Sequence, residues 1–243
     1  MSRPRRFWPL FLAVVALLGQ RWAVQAGSSR YEAVRAAMVE KLRRSGIKNE
    51  YVLAAMRRVP RHEFVSPADL PRAYDDVAIP IGKGESIQPP GLVALVMEKL
   101  ELAPGRRILQ VGAECPYCTA VMCEATPLVY VVDLRGDVLE LAARRLKSVG
   151  YTSAHWRNDK GCQGWPQQGP FDAILVMCAA NQIPDSLIKQ LKPEGRMVIP
   201  IGEGPEQTLQ CLTKTADGKL RTETMNVPAP ARADSMVCRR PLP

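Results

Sequence analysis

A chain of 243 residues with 33 Lys and Arg against 24 Asp and Glu carries a net charge of +9 and is long enough for one substantial domain. The basic excess is spread out and forms no dense Lys/Arg block, which excludes a nucleic-acid track and leaves a mild preference for acidic partners. Seven cysteines, at 115, 118, 123, 162, 178, 211 and 238, are odd in number and irregular in spacing, which excludes the disulfide framework of a small secreted domain.

The first 26 residues read as an export leader. Arg3, Arg5 and Arg6 make a basic start, Phe7 to Leu18 is an apolar run, and Val24-Gln25-Ala26 supplies small residues for cleavage. The run is shorter than the roughly 20 residues that span a bilayer. Removing residues 1–26, with their four arginines, leaves 217 residues and a net charge of +5. The expected location is periplasmic or extracellular; a start at an internal Met would instead leave the chain in the cytoplasm.

The predicted elements follow in chain order. Helical spacing runs from Tyr31 to Ser45 and stops at Gly46. Asn49 caps a second helix, Glu50 to Arg58, closed by Pro60. Ala78 to Gly84 is extended or loop, and Leu92 to Leu100 is helical. Strands then alternate with helices: strand Arg107–Val111, helix Thr119–Glu124, strand Leu128–Val132, helix Gly136–Ser148, a weak strand Ala154–Trp156, strand Phe171–Val176, helix Pro184–Leu191 and strand Gly195–Ile201. A hairpin turns at Asp217-Gly218 between Thr208 and Arg221. Short apolar strands alternating with helices predict an α/β fold, a doubly wound and mostly parallel sheet covered on both faces. The organisation expected is a leader (1–26), a helical segment with a loop (27–90) and a core (91–235) that forms one domain with that segment.

Ligands of such sheets bind beyond the carboxyl ends of the strands, so the turns after Val111, Val132 and Trp156 are where chemistry is sought. Gly112 lets backbone approach a ligand at a helix N-terminus. Asp133 ends a strand about 20 residues on, where an acid accepts from ribose hydroxyls; capping the following helix is the other reading. Cys115-Pro116-Tyr117-Cys118 is a C-x-x-C at a helix N-terminus, a setting that lowers a thiol pKa. It reads either as a thiol–disulfide site or as two small residues packed in a turn. His62 and His155 are the only histidines and neither stands at ligand spacing from the cysteines, so no metal site is expected.

Met56-Arg57-Arg58-Val59-Pro60-Arg61-His62-Glu63-Phe64-Val65 resembles the segment that precedes the catalytic domain of the protein-L-isoaspartate O-methyltransferases. So do Ala73-Tyr74-Asp75-Asp76, Ile79-Pro80-Ile81-Gly82, Gly164-Trp165-Pro166, Pro170-Phe171-Asp172-Ala173-Ile174, and Leu191-Lys192-Pro193-Glu194-Gly195-Arg196-Met197-Val198-Ile199-Pro200-Ile201-Gly202. The resemblance runs from about residue 36 to 225. It implies a seven-stranded sheet of the S-adenosylmethionine-dependent methyltransferase type, and methyl transfer from S-adenosylmethionine to the carboxylate of isoaspartyl residues in damaged proteins. The implied partners are isoaspartyl-containing or acidic peptide segments; nucleic acid is not a partner, nor is membrane after leader cleavage, and a monomer is expected.

On this resemblance the cofactor residues are Gly112, Ala113, Glu114, Tyr117, Asp133 and Asp159, and the catalytic positions are Ser86 and Gln88. The chain departs from the family at four turns. A loop close to Gly-Thr-Gly-Ser-Gly-Tyr becomes Gly112-Ala113-Glu114-Cys115-Pro116-Tyr117. A motif close to Thr-Ile-Ser-Gln-Pro becomes Ser86-Ile87-Gln88-Pro89-Pro90. Without gaps Gln88 takes the place of the Ser; with a slip of one residue Ile87 does. A Gly-Asp-Gly becomes Asn158-Asp159-Lys160-Gly161, and Met177-Cys178-Ala179-Ala180 lacks the family's hydroxyl. The departures imply reduced or lost cofactor binding. Three readings stay open: an active methyltransferase, a silent relative that binds peptides, and a thiol–disulfide protein using Cys115 and Cys118.

Overall fold

A computed structural model of the chain describes residues 31–202 and 207–228. The leader at 1–26 and Cys238 lie outside the described residues. Helix α1 (residues 31–44) and α2 (Glu50–Arg58) come first, then two 3₁₀ turns at Arg61–Phe64 and Pro67–Arg72 and a hairpin of β1 (Ile79–Gly82) and β2 (Glu85–Ile87). Helix α3 (Pro90–Lys99) leads into the alternating part: β3 (Ile108–Val111), α4 (Pro116–Ala125), β4 (Val129–Asp133), α5 (Gly136–Ser148), β5 (His155–Asn158), β6 (Phe171–Val176), α6 (Asp185–Gln190) and β7 (Leu191–Ile201). Strands β8 (Thr208–Lys214) and β9 (Leu220–Pro228) close the edge.

Among the described residues, seven strands form one sheet in the order β5-β4-β3-β6-β7-β8-β9. Every pairing from β5 to β7 is parallel, and β7–β8 and β8–β9 are antiparallel. The expected doubly wound, mostly parallel sheet is therefore the observed one. The chain leaves β3 for β4 on one side and returns with β6 on the other. Strand order thus reverses at β3, and the carboxyl ends of β3, β4 and β6 enclose the ligand crevice of this architecture. Strands β3 and β4 are buried along their whole length, as a sheet covered on both faces requires.

Local chemistry sets the elements. Asn49 caps α2, its side chain accepting from Tyr51 N–H (3.0 Å) and Val52 N–H (3.2 Å). The hairpin turn uses Gly82, Lys83 and Gly84, all at positive φ, and pairs Pro80 with Ser86 and Ile79 with Ile87. The sequence reading of Ala78 to Gly84 as extended or loop covers β1 but misses β2, because three residues are too few to show an alternation. Helix α4 starts at Pro116 rather than Thr119, and α3 at Pro90 rather than Leu92, since Pro is tolerated in a first turn that needs no N–H. Helix α6 is shorter than expected because Leu191 already pairs with Phe171 in the sheet. The helices before residue 90 share one apolar core with the sheet, reaching from Met38 through Val52, Met56 and Ile79 to Val121, Leu175 and Met225.

Candidate functional site

The turn from β3 into α4 is built around a buried glutamine. Gln110 donates from Nε2 to the Gly112 carbonyl (2.7 Å) and accepts at Oε1 from the Thr119 hydroxyl (2.8 Å), which ties strand, turn and helix together. Gly112 sits at φ 96°, in the left-handed region. The face that glycine leaves bare is not empty. A Cβ there would stand 3.0 Å from Met177 Cβ and 3.1 Å from Glu114 Oε2, so the Glu114 carboxylate lies over the turn.

Glu114 is held there by Arg135, two residues past the end of β4. Arg135 reaches Glu114 Oε1 at 3.1 Å, Glu85 Oε1 at 2.7 Å and Asp133 Oδ2 at 3.3 Å. The three carboxylate side chains are 7%, 3% and 0% exposed, and Arg135 is 29% exposed. Burial opposes the Arg135 charge, yet Asp133, Glu85 and Glu114 together hold its pKa above the ordinary value. Asp133 is engaged on both oxygens by backbone: Oδ2 accepts from Ala113 N–H (2.8 Å) and Oδ1 from Arg135 N–H (2.8 Å).

The other expected site residues are placed as follows. Ser86 lies in β2, and Gln88 just beyond it donates weakly to the Ser86 hydroxyl (3.3 Å). Gln88 also lines an apolar cleft with Leu92, Val96, Cys118, Met177 and Leu209. Tyr117 points away from the crevice and is fully buried against Phe64, with the Arg61 guanidinium 4.8 Å over its ring. Burial pushes its hydroxyl pKa up. Asp159, at the end of β5, pairs with Arg157 and accepts from Lys160 N–H (2.7 Å). That backbone bond and the Arg157 contact hold its carboxyl below the usual value.

The fold therefore brings Gly112, Ala113, Glu114 and Asp133 together, sets Asp159 one strand away, and turns Tyr117 into the core. Sequence reading missed Glu85 and Arg135. Glu85 stands 50 residues from Arg135 and only the hairpin brings it in. Arg135 was within reach, being a base two residues after the strand-ending acid.

The nucleoside end of S-adenosylmethionine needs bare backbone at such a turn and free acceptor capacity on the acid of β4. In this arrangement that backbone is covered and that acid is engaged. Glu114 covers the Gly112 face, and both Asp133 oxygens already accept from the chain.

A family model for protein-L-isoaspartate(D-aspartate) O-methyltransferase matches residues 33–229. The chain is 40% identical over 189 residues to a protein-L-isoaspartate O-methyltransferase of Gloeobacter violaceus, covering 77% of this chain and 92% of that one. It is 42% identical over 193 residues to the one of Xanthomonas campestris pv. campestris, covering 79% and 85%. A solved protein-L-isoaspartate O-methyltransferase superposes with a TM-score of 0.66 at 25% identity, over 82% of this chain and 67% of that one. A Plasmodium falciparum structure described as a putative enzyme of this kind in complex with S-adenosyl-L-homocysteine gives the same TM-score at 24% identity, over 79% and 94%. The chain belongs to the protein-L-isoaspartate(D-aspartate) O-methyltransferase family.

Proposed function

We propose that this chain performs its family's reaction, transferring the methyl group of S-adenosylmethionine to the carboxylate of isoaspartyl residues in damaged proteins. The observation that carries the reading is the juxtaposition, at the carboxyl ends of β3 and β6, of the Gly112 turn, Gln88 and an apolar cleft beside Met177. The acceptor is already a nucleophile, and the donor carries its methyl on a sulfonium leaving group. The protein has little acid–base work to do: holding two reactants in line in a site without water is worth roughly 7–11 kcal/mol. The cover formed by Glu114 and Arg135 has to open before a nucleoside can lie on the turn.

A second reading is favoured by that cover and by Gln88, or Ile87 with a slip of one residue, standing where the family has a serine: a catalytically silent relative that binds the same peptides. One titration separates the two. Calorimetry of the full chain with S-adenosylmethionine should show micromolar binding, and methyl label should enter an isoaspartyl peptide, on the first reading. No heat at submillimolar ligand with retained peptide binding would leave the second. The combined change Glu114→Gly, Cys115→Ser and Pro116→Gly is expected to tighten cofactor binding in either case.

We also propose that the chain is exported on residues 1–26 and acts as a single copy on isoaspartyl-containing or acidic segments of other proteins. N-terminal sequencing of secreted material should begin at Gly27; a start at Met1 or at an internal Met would refute export.

A further inference from the structure

The two sulfurs at the head of α4 are not used by methyl transfer. Cys115 is the N-cap of the helix, and its Sγ accepts from Cys118 N–H at 3.3 Å. This is the spacing at which an N-cap side chain and the third helical residue fold back on one another. On a helix that spacing separates Cα atoms by roughly 5 Å, inside the ~4.4–6.8 Å range a disulfide spans. Both thiols are free, with Cys115 0% and Cys118 3% exposed.

Their surroundings are electropositive. Arg61 is fully buried and donates to the carbonyls of Ala73 (2.8 Å) and Val77 (3.2 Å), while its Nη1 has no hydrogen-bond partner among the described residues. It lies over the ring of Tyr117, between the two cysteines in sequence. Burial alone would push Cys115 up, but donation from the Cys118 thiol, the Gln88 and Cys118 N–H groups and the Arg61 charge bring it below the ordinary thiol value. Cys118 is pushed well up, by burial and by that same donation to Cys115. The two sulfurs thus differ in setting: Cys115 Sγ is the acceptor in the pair and Cys118 stands on the donor side. Cys118 also lines the apolar cleft, which gives a small uncharged oxidant a way in.

We infer that Cys115 and Cys118 form an oxidisable dithiol beside the cleft, in which a hydroperoxide entering past Cys118 oxidises Cys115 and Cys118 closes the disulfide. In the first step the Cys115 sulfur attacks a peroxide oxygen. The S–O bond forms, the O–O bond breaks, and the departing oxygen takes a proton as water or alcohol, leaving a sulfenic acid. In the second, the Cys118 sulfur attacks Cys115 Sγ. The S–S bond forms, the S–O bond breaks, and the hydroxyl leaves with the Cys118 proton as water. Two thiols and one hydroperoxide give one disulfide, one alcohol or water, and one further water.

The test uses the reduced full chain and hydrogen peroxide, with thiols then blocked by maleimide under denaturing conditions. The tryptic peptide Ile108–Arg135 holds Cys115, Cys118 and Cys123. It should become lighter by two hydrogens and carry maleimide on Cys123 alone, with Cys115 oxidised about tenfold faster than Cys123, whose thiol is held up by burial. In Cys118→Ser a dimedone adduct should appear on Cys115; in Cys115→Ser none should form on Cys118. Maleimide on all three cysteines after peroxide, or the adduct on Cys118 instead, overturns the assignment. Since no S-adenosylmethionine is involved, the outcome is independent of whether methyl transfer is found.

Discussion

At the carboxyl end of the sheet Arg135 meets three carboxylates, Glu85, Glu114 and Asp133, each at most 7% exposed. At the amino end Asp172 accepts from Arg107 N–H at 2.8 Å and from Lys192 Nζ at 2.9 and 3.0 Å, with its side chain 24% exposed and Lys192 38% exposed. Acid meets base at both ends, but the carboxylates differ in setting, buried at one end and part-exposed at the other. One end keeps an acid and a base where water can reach both. The other takes several charges out of water together, and stability alone seldom selects for that, because the desolvation cost rivals the attraction. A buried charged knot at the switch point of a parallel sheet therefore marks the end where a ligand acts, and the exposed pair marks the end that only holds the strands.

The strongest way to break this contrast is to remove the shared cation. Arg135→Leu should cost about 3–5 kcal/mol, since it leaves buried carboxylates without the guanidinium they share. A urea midpoint lowered by less than about 1 kcal/mol in these terms would put the two ends in one class. A smaller effect separates the helix cap from the charges around it. Cys115→Ala should cost about 0.5–2 kcal/mol by removing the acceptor for Cys118 N–H, while Cys115→Ser should keep most of that stability because Ser caps well. If the two variants melt alike, the turn is held by Glu114 and Asp133 and not by its cap. At the amino end Lys192→Met should change stability by no more than about 1 kcal/mol.

The two ends also differ in how much of them the sequence carried. Strands β3, β4 and β6 are legible as apolar runs, and Asn49 and the Asp217-Gly218 turn as local signals, because each depends on neighbours a few residues away. Gly112, Ala113, Glu114 and Asp133 could be picked out as a site from spacing and family resemblance. That Glu114 would lie back over Gly112 could not, since it depends on Arg135, and Arg135 in turn is held by Glu85 through a three-residue strand with no pattern of its own. Tyr117 shows the same limit. Its position in the loop suggests the ligand side, but a helix beginning at Pro116 rotates it inward onto Arg61 and Phe64.

The finest test of the contrast is acid. Burial works to raise the Asp172 carboxyl, but the Arg107 N–H and Lys192 outweigh it and hold the group below its ordinary value. A carboxyl depressed in the folded state adds stability that is complete above its unfolded pKa, about 3.9, and is lost as pH falls through the folded value. Wild type should therefore exceed Asp172→Asn in urea midpoint at neutral pH, and the gap should narrow only below about pH 4. A gap that persists unchanged to the lowest pH at which the chain folds would mean that Asp172 acts through its backbone bond and shape, not its charge. The amino-end cluster would then be a turn-holding device, and only the carboxyl end would remain an electrostatic one.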